Sequence, residues 1–125
     1  MTPANRAILV VEADLLLRLM AVEVVQEAGF EALAAATADE ALSILEAHAD
    51  DVRLVFTDIQ MPGSMDGLRL AHAVRDRWPP VELIVTSGHC QIEANDLPDR
   101  GRFIAKPYDV HALSRVFQEL AGADG

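Results

Sequence analysis

The sequence predicts one α/β domain whose parallel sheet is covered by helices on both faces, and three observations predict it. Strand-like and helix-like segments alternate five times over along 125 residues, and parallel crossovers are right-handed and usually helical. Ile8 to Val11 reads ILVV, a continuous run of the kind buried on both faces of a parallel sheet. No linker, low-complexity tract or internal repeat interrupts the chain, and an apolar content of 51% suits one compact core.

Each element has a local cause. Strand one, Ile8 to Val11, runs straight into acidic residues. Leu15, Leu16, Leu19, Met20, Val22, Val24 and Val25 then form a broad apolar helical face that stops at Gly29, a natural C-cap. Phe30 to Ala36 is a weaker second strand. Thr37, with Glu40 three residues later, forms a capping box that opens a helix through Ala41, Leu42, Ile44 and Leu45. Leu54 to Phe56 is a third strand ending at Thr57 and Asp58. Past the turn-rich Met61, Pro62, Gly63 and Ser64, a helix runs from about Gly67 to Trp78, where Pro79 and Pro80 end it. Val81 to Thr86 and Phe103 to Ala105 are the fourth and fifth strands. Asp109 caps a last amphipathic helix through Leu113, Val116, Phe117 and Leu120. Gln91 to Gly101 resists the alternation: Asn95, Asp96 and Pro98 stand where a fourth helix belongs, which predicts a short or irregular one.

Charge and composition exclude several functions. Ten Lys plus Arg against twenty Asp plus Glu give a net charge of −10, which disfavours a groove that tracks a phosphate backbone, so no direct nucleic-acid partner is expected. The acidic surface reads mainly as a solubility feature. The longest apolar stretches, Ala7 to Val11 and Leu15 to Leu17, fall far short of the roughly 20 residues that span a bilayer. The N-terminus has no basic segment followed by a long apolar run. The expectation is a soluble, cytoplasmic protein without membrane insertion. Cys90, the sole cysteine, forms no internal disulfide and reads as a packing residue. His48, His72, His89 and His111 sit at unrelated places, and none reads as catalytic.

In open parallel sheets, ligands collect outside the carboxyl ends of the strands. The residues there are Glu12, Ala13 and Asp14 after strand one and Asp58 after strand three. Thr86 and Ser87 follow strand four, and Lys106 and Pro107 follow strand five. Lys106 is the only lysine; the other nine basic residues are arginines. These residue types support phosphoryl transfer to a carboxylate. Asp58 would attack phosphorus, and a hard divalent cation held by carboxylates would neutralise the transferring oxygens. Lys106 and the Thr86 hydroxyl would each bind one oxygen. Gly63 and Gly67 are not followed by Gly-Lys-Ser/Thr, so a nucleoside triphosphatase is not indicated.

The runs ILVVEAD, VFTDIQMPGSMDG, LIVTSG and FIAKPY resemble, in order and across almost the whole chain, the receiver domain of two-component response regulators. The resemblance implies a flavodoxin-like, doubly wound five-stranded sheet in the order 2-1-3-4-5. It implies that Asp58 is the phosphoacceptor, Thr86 and Phe103 a switch pair, and Lys106 the phosphate-binding lysine, with a cis bond to Pro107. Mg²⁺ would be held by Glu12, Asp58 and the backbone carbonyl of Gln60. The implied partners are a histidine kinase or histidine phosphotransfer protein and a downstream protein target, with a homodimer compatible. Residues 1–125 read as a single stand-alone receiver, core about 6–121, with no output domain. It would signal by protein contact or phosphorelay, and would be a phosphoacceptor switch, not an enzyme, with at most slow autodephosphorylation.

Three features depart from the family pattern. The second acidic residue after strand one, normally a direct Mg²⁺ ligand, is Ala13 here. A unit charge lost about 4 Å from a cation matters by several kcal/mol at an effective dielectric of ~20, before hydration offsets much of it. Glu12, directly or through water, or Asp14 from the following turn is the candidate substitute, and weakened Mg²⁺ dependence is expected. The loop MPGSMDG is one residue longer than the common pattern. The weak fourth helix falls on the surface that changes on phosphorylation in the family. The alternative function is a pseudo-receiver, an interaction module with weak or no Mg²⁺-dependent phosphorylation. An Asp-nucleophile phosphatase is disfavoured, because Gln60 stands two residues after Asp58, where those enzymes carry a general acid.

Overall fold

The computed structural model describes residues 6–88 and 92–122, so the expectations for His89 and Cys90 lie outside the described residues. Five strands, β1 (Ala7–Val11), β2 (Glu31–Ala35), β3 (Val52–Asp58), β4 (Glu82–Ser87) and β5 (Arg102–Ala105), pair in parallel in the order β2-β1-β3-β4-β5. This is the predicted sheet. All five residues of β1 are buried, as the strand's central place requires.

Alternation along the strands divides the core in two. Ile8, Val10, Leu54, Phe56 and Ile84 pack under α1 (Leu15–Glu27) and α4 (Val110–Ala121), through Val25, Leu113 and Phe117. Leu9, Val11, Val55, Leu83 and Val85 face α2 (Ala38–His48) and α3 (Gly67–Arg77), through Ala41, Leu45, Leu70 and Val74. Each fully buried Leu or Val contributes on the order of 1.5–3 kcal/mol, so the two clusters supply most of the drive to fold. On the α1/α4 face the Phe56 ring meets those of Tyr108 and Phe117 edge-on, with centroids 5.8 and 5.5 Å apart.

Helix ends follow the residue chemistry closely. α1 closes on Ala28 with Gly29 next at φ +99°; Gly29 N–H donates to Gln26 O and Phe30 N–H to Val25 O, the paired bonds of a Schellman end. At α2, Thr37 Oγ1 accepts from Glu40 N at 3.1 Å, but Glu40 Oε1 accepts from Ala36 N at 2.6 Å, one residue ahead of the cap. The expected box is therefore shifted by one residue on its return bond. Asp66 caps α3 and Asp109 caps α4.

Two expectations need correction or completion. The apolar face predicted for α1 is only partly buried: Val24 and Val25 join the core, whereas Leu15, Leu16, Leu19 and Met20 are exposed, Leu16 at 67%. The first half of α1 therefore carries apolar side chains that the sheet does not cover. Between β4 and β5, the predicted short or irregular helix is, among the described residues, a single 3₁₀ turn, Ala94–Asp96. Its main chain is satisfied from α3 instead: His72 Nε2 lies 2.8 Å from Asp96 O, and Arg75 Nε donates to Asp99 O at 2.8 Å.

Candidate functional site

Main-chain pairing continues just past the strand ends and aims the site. Glu12 N–H donates to Ala35 O, Ile59 N–H to Thr86 O, and Lys106 N–H to Ser87 O, at 3.0, 2.9 and 3.0 Å. Glu12, Asp58 and Lys106 thereby leave the same edge of the sheet together. They line one cleft of about 320 Å³ with Ala13, Asp14 and Gln60, and Leu17 and Gly88 complete its wall. The Lys106–Pro107 peptide bond is cis, as expected.

The cleft is organised around one ammonium shared by two carboxylates. Lys106 Nζ lies 3.0 Å from Glu12 Oε1 and 3.3 Å from Asp58 Oδ2, and both carboxylates are nearly buried, at 7% and 8% exposure. Burial pulls the Lys106 pKa down, but the hydrogen bond to Glu12 and the charge of Asp58 outweigh it and hold the amine above its ordinary range. Burial also pushes the Tyr108 phenol up. The other Glu12 oxygen, Oε2, accepts from Asp14 N–H at 3.1 Å. Asp14 Oδ1 in turn accepts from Leu17 N–H at 2.9 Å as the cap of α1. Drawing Asp14 into the cleft as a substitute ligand would give up that cap, worth about 1 kcal/mol.

Thr86 does not line the cleft, but it is the direct register partner of Asp58 on β4. It is 2% exposed, and among the described residues its hydroxyl has no hydrogen-bond partner. Phe103 pairs with Val85 in register and packs, half-buried, against the α2/α3 side of the core. Of the three carboxylates expected in the crevice, Glu12 and Asp58 contact Lys106, whereas Asp14 lines the same cleft but caps α1. Among the described residues, though, no three Asp, Glu, His or Cys side chains stand close enough together to hold a metal ion. The donor set still suits Mg²⁺, which keeps several waters and needs only one or two carboxylates besides phosphate oxygens.

Two supports escaped the sequence reading. Arg18 reaches back from α1, and its Nη1 donates to Glu12 O at 2.9 Å, pinning the turn that carries Glu12. Gly67, read only as part of a motif, packs its backbone onto Asp58: its N–H donates to Ile59 O at 2.8 Å, and a Cβ there would stand 1.7 Å from Asp58 O. A glycine at the first position of a helix that follows Asp66 was the available signal. The longer loop is tied to α2, where Ser64 Oγ donates to the Asp39 carboxylate at 2.8 Å.

A family profile described as the response regulator receiver domain matches residues 8–118. The chain is 31% identical over 119 residues to the sensor kinase CckA of Brucella abortus, covering 93% of this chain and 12% of the kinase. It superposes with a TM-score of 0.86 on a response regulator receiver protein from Sinorhizobium medicae WSM419, at 25% identity, covering 95% and 96% of the two chains. The receiver domain of NtrX from Brucella abortus superposes with a TM-score of 0.81 at 33% identity, covering 94% and 99%. The fold and these likenesses define a receiver of two-component signalling; the chain belongs to the response regulator receiver domain family. It spans 12% of the length of that sensor kinase and 26% of that of a second curated relative, the C4-dicarboxylate transport transcriptional regulatory protein DctD of Rhizobium meliloti. Domains of this family are phosphoacceptor switches that generally are not enzymes, generally bind Mg²⁺ at the phosphorylation site, and interact with histidine kinases or phosphotransfer proteins. No described helix is long and apolar enough to cross a membrane.

Proposed function

We propose that this chain accepts a phosphoryl group on Asp58 from the phosphohistidine of a histidine kinase or phosphotransfer protein, and passes the signal on in the cytoplasm by protein contact or phosphorelay. The observation that carries the reading is the sole lysine, bridging Glu12 and Asp58 at the carboxyl edge of the sheet. In the transfer, an Asp58 carboxylate oxygen attacks phosphorus in line; the P–O bond forms as the P–N bond breaks, and the imidazole leaves with the electron pair. Lys106 moves from carboxylate to phosphoryl oxygen without changing its charge. The unpartnered Thr86 hydroxyl donates to another phosphoryl oxygen, and Phe103 follows into the space Thr86 vacates, repacking the β5 face. Glu12, Asp58 and the Gln60 carbonyl would hold Mg²⁺, with Asp14 the candidate replacement for the ligand missing at Ala13, and the ion would supply charge neutralisation. Gln60 offers no general acid two residues after Asp58, which suits a long-lived switch with slow autodephosphorylation.

The test is intact mass after incubation with phosphoramidate, with and without Mg²⁺, on the wild type and Asp58→Asn. Gain of one phosphoryl group that needs both Asp58 and Mg²⁺ is expected; uptake by Asp58→Asn would refute the assignment. A second reading, a pseudo-receiver that works by contact alone, is favoured by Ala13 and by the lack of a three-ligand cluster among the described residues. It requires no uptake under any condition.

A further inference from the structure

Among the described residues, the large apolar side chains left well exposed all stand on one face. Leu15, Leu16, Leu19 and Met20, between 47% and 67% exposed, form a ridge on the first half of α1, and Val110 opens α4 at 41%. Beside the ridge lies a hollow of about 420 Å³, lined by Leu17, Met20, Pro107, Tyr108 and Val110, with Lys106 at its border with the cleft. The charged groups around this face are engaged within the chain. Asp14 caps α1, Arg18 Nη1 donates to Glu12 O at 2.9 Å, Lys106 bridges Glu12 and Asp58, and Asp109 caps α4. The face therefore offers apolar contact and not ion pairing. A ridge and a hollow side by side on one surface are self-complementary, because a two-fold axis between them seats each ridge in the other copy's hollow. The exposed side chains present on the order of 500 Å², the size of patch that marks an interaction site. Two copies joined there bury on the order of 1,000 Å², which suits a weak, reversible dimer.

We propose that this face is the contact surface of a two-fold dimer of the chain, with the α1 ridge of each copy seated in the hollow of the other. Charge argues for the same place. At a net charge of −10 two copies repel each other, and they meet at least cost where the side chains are apolar and the nearby charges are already engaged. The dimer has a consequence for the cleft, which rests on the phosphoacceptor reading of Asp58. Leu17 and Lys106 line both the hollow and the cleft, so a copy seated in the hollow closes the approach to Asp58 from the α1 side. A phosphodonor protein then meets the monomer, and self-association sets the share of chains open to it.

The test is sedimentation equilibrium of the chain from about 5 µM to about 1 mM, the range in which an interface of this size associates. Protein labelled with ¹³C at lysine Cε reports the contact independently by NMR, because Lys106 is the only lysine. The mass should rise from one chain toward two, and the Lys106 signal should shift with the same half-point. Raising NaCl from about 0.05 to about 0.5 M should tighten the dimer several-fold by screening the repulsion between like-charged copies. Leu16 is 67% exposed, so its replacement leaves the fold intact. Leu16→Glu should weaken the dimer at least tenfold, and Leu16→Ser, which removes the ridge without adding charge, at least threefold. A mass of one chain throughout leaves the face to a different protein and overturns the proposal. A Leu16→Glu dimer as tight as the wild type's, a mass that climbs past two chains, or a Lys106 signal that stays still while the dimer forms overturns it equally. So does a dimer that weakens with salt, the mark of opposite-charge contact. Phosphoramidate uptake on the same samples separates this inference from the function beneath it. A dimer without uptake sinks the function and leaves the contact surface standing; Asp58-dependent uptake by a chain that never dimerises does the reverse.

Discussion

Replacing Lys106 by Met removes the ammonium and keeps most of the volume of its stem, leaving Glu12 and Asp58 close together, nearly buried and unpaired. At 3.0 and 3.3 Å each contact has a gross Coulomb energy of about 5 kcal/mol at an effective dielectric of 20, much of it offset by desolvation of the amine. Breaking a buried pair costs about 3–5 kcal/mol, and the 20% exposure of the lysine side chain moves the expectation to the low end, about 3 kcal/mol. Asp58→Asn alone should change stability by no more than about 1 kcal/mol, because Lys106 retains Glu12 and one buried anion disappears. In the Lys106→Met background, Asp58→Asn should return at least half of the loss, since it relieves two facing carboxylates. Urea unfolding followed by circular dichroism measures all four proteins, with the lysine variant's midpoint falling by between about 1 and 3 M. A Lys106→Met cost under about 1 kcal/mol would place the pair among solvent-screened surface bridges and refute the shared-ammonium account. Failure of Asp58→Asn to recover stability in that background would refute it equally.

Gly67→Ala should destabilise by more than about 3 kcal/mol or prevent folding, because its Cβ would stand 1.7 Å from Asp58 O and 2.6 Å from Asp58 C; thermal melts check this. Thr86→Val removes a buried hydroxyl that has no partner, so it should stabilise the unphosphorylated protein by about 1 kcal/mol in the same melts. Stability should fall as pH rises above about 10, because the folded state holds protons on Lys106 and Tyr108 that the unfolded chain releases first. Urea midpoints between pH 8 and 11 test this, and Tyr108→Phe should flatten the slope.

The strands were legible because a strand buried on both faces must be apolar throughout, and Ile8 to Val11 obeys that without help from its neighbours. The caps at Thr37, Asp109 and Gly29 were legible because they act within a few residues. The α1 surface misled for the opposite reason: apolar spacing marks one helix face, but only the packing of α1 on the sheet shows that Leu15, Leu16, Leu19 and Met20 lie beyond the covered part. The site residues could be placed because each directly follows its own strand, yet their charge arrangement could not. Lys106 and Glu12 are 94 residues apart, and nothing local says that one ammonium serves two carboxylates while Asp14 serves the helix. The segment before β5 was correctly read as a poor helix, but the α3 side chains that replace its hydrogen bonds appear only in three dimensions.

Under the proposed function, the resting protein is held short of its best electrostatic state at one place beside the cleft. The hydroxyl of Thr86 is buried without a partner beside the residue it pairs with in the sheet, Asp58. An unmet buried donor costs about 1–3 kcal/mol. A phosphoryl oxygen that accepts from it returns that energy only in the phosphorylated state, which is the differential interaction a two-state shift requires. The same 1–3 kcal/mol corresponds to roughly a 5- to 150-fold change in an equilibrium between two conformations. Thr86→Val should therefore pull in two directions at once, raising resting stability while shrinking the response to phosphorylation. A variant that is stabilised yet switches fully would show that the Thr86 hydroxyl does not couple phosphorylation to the conformational change.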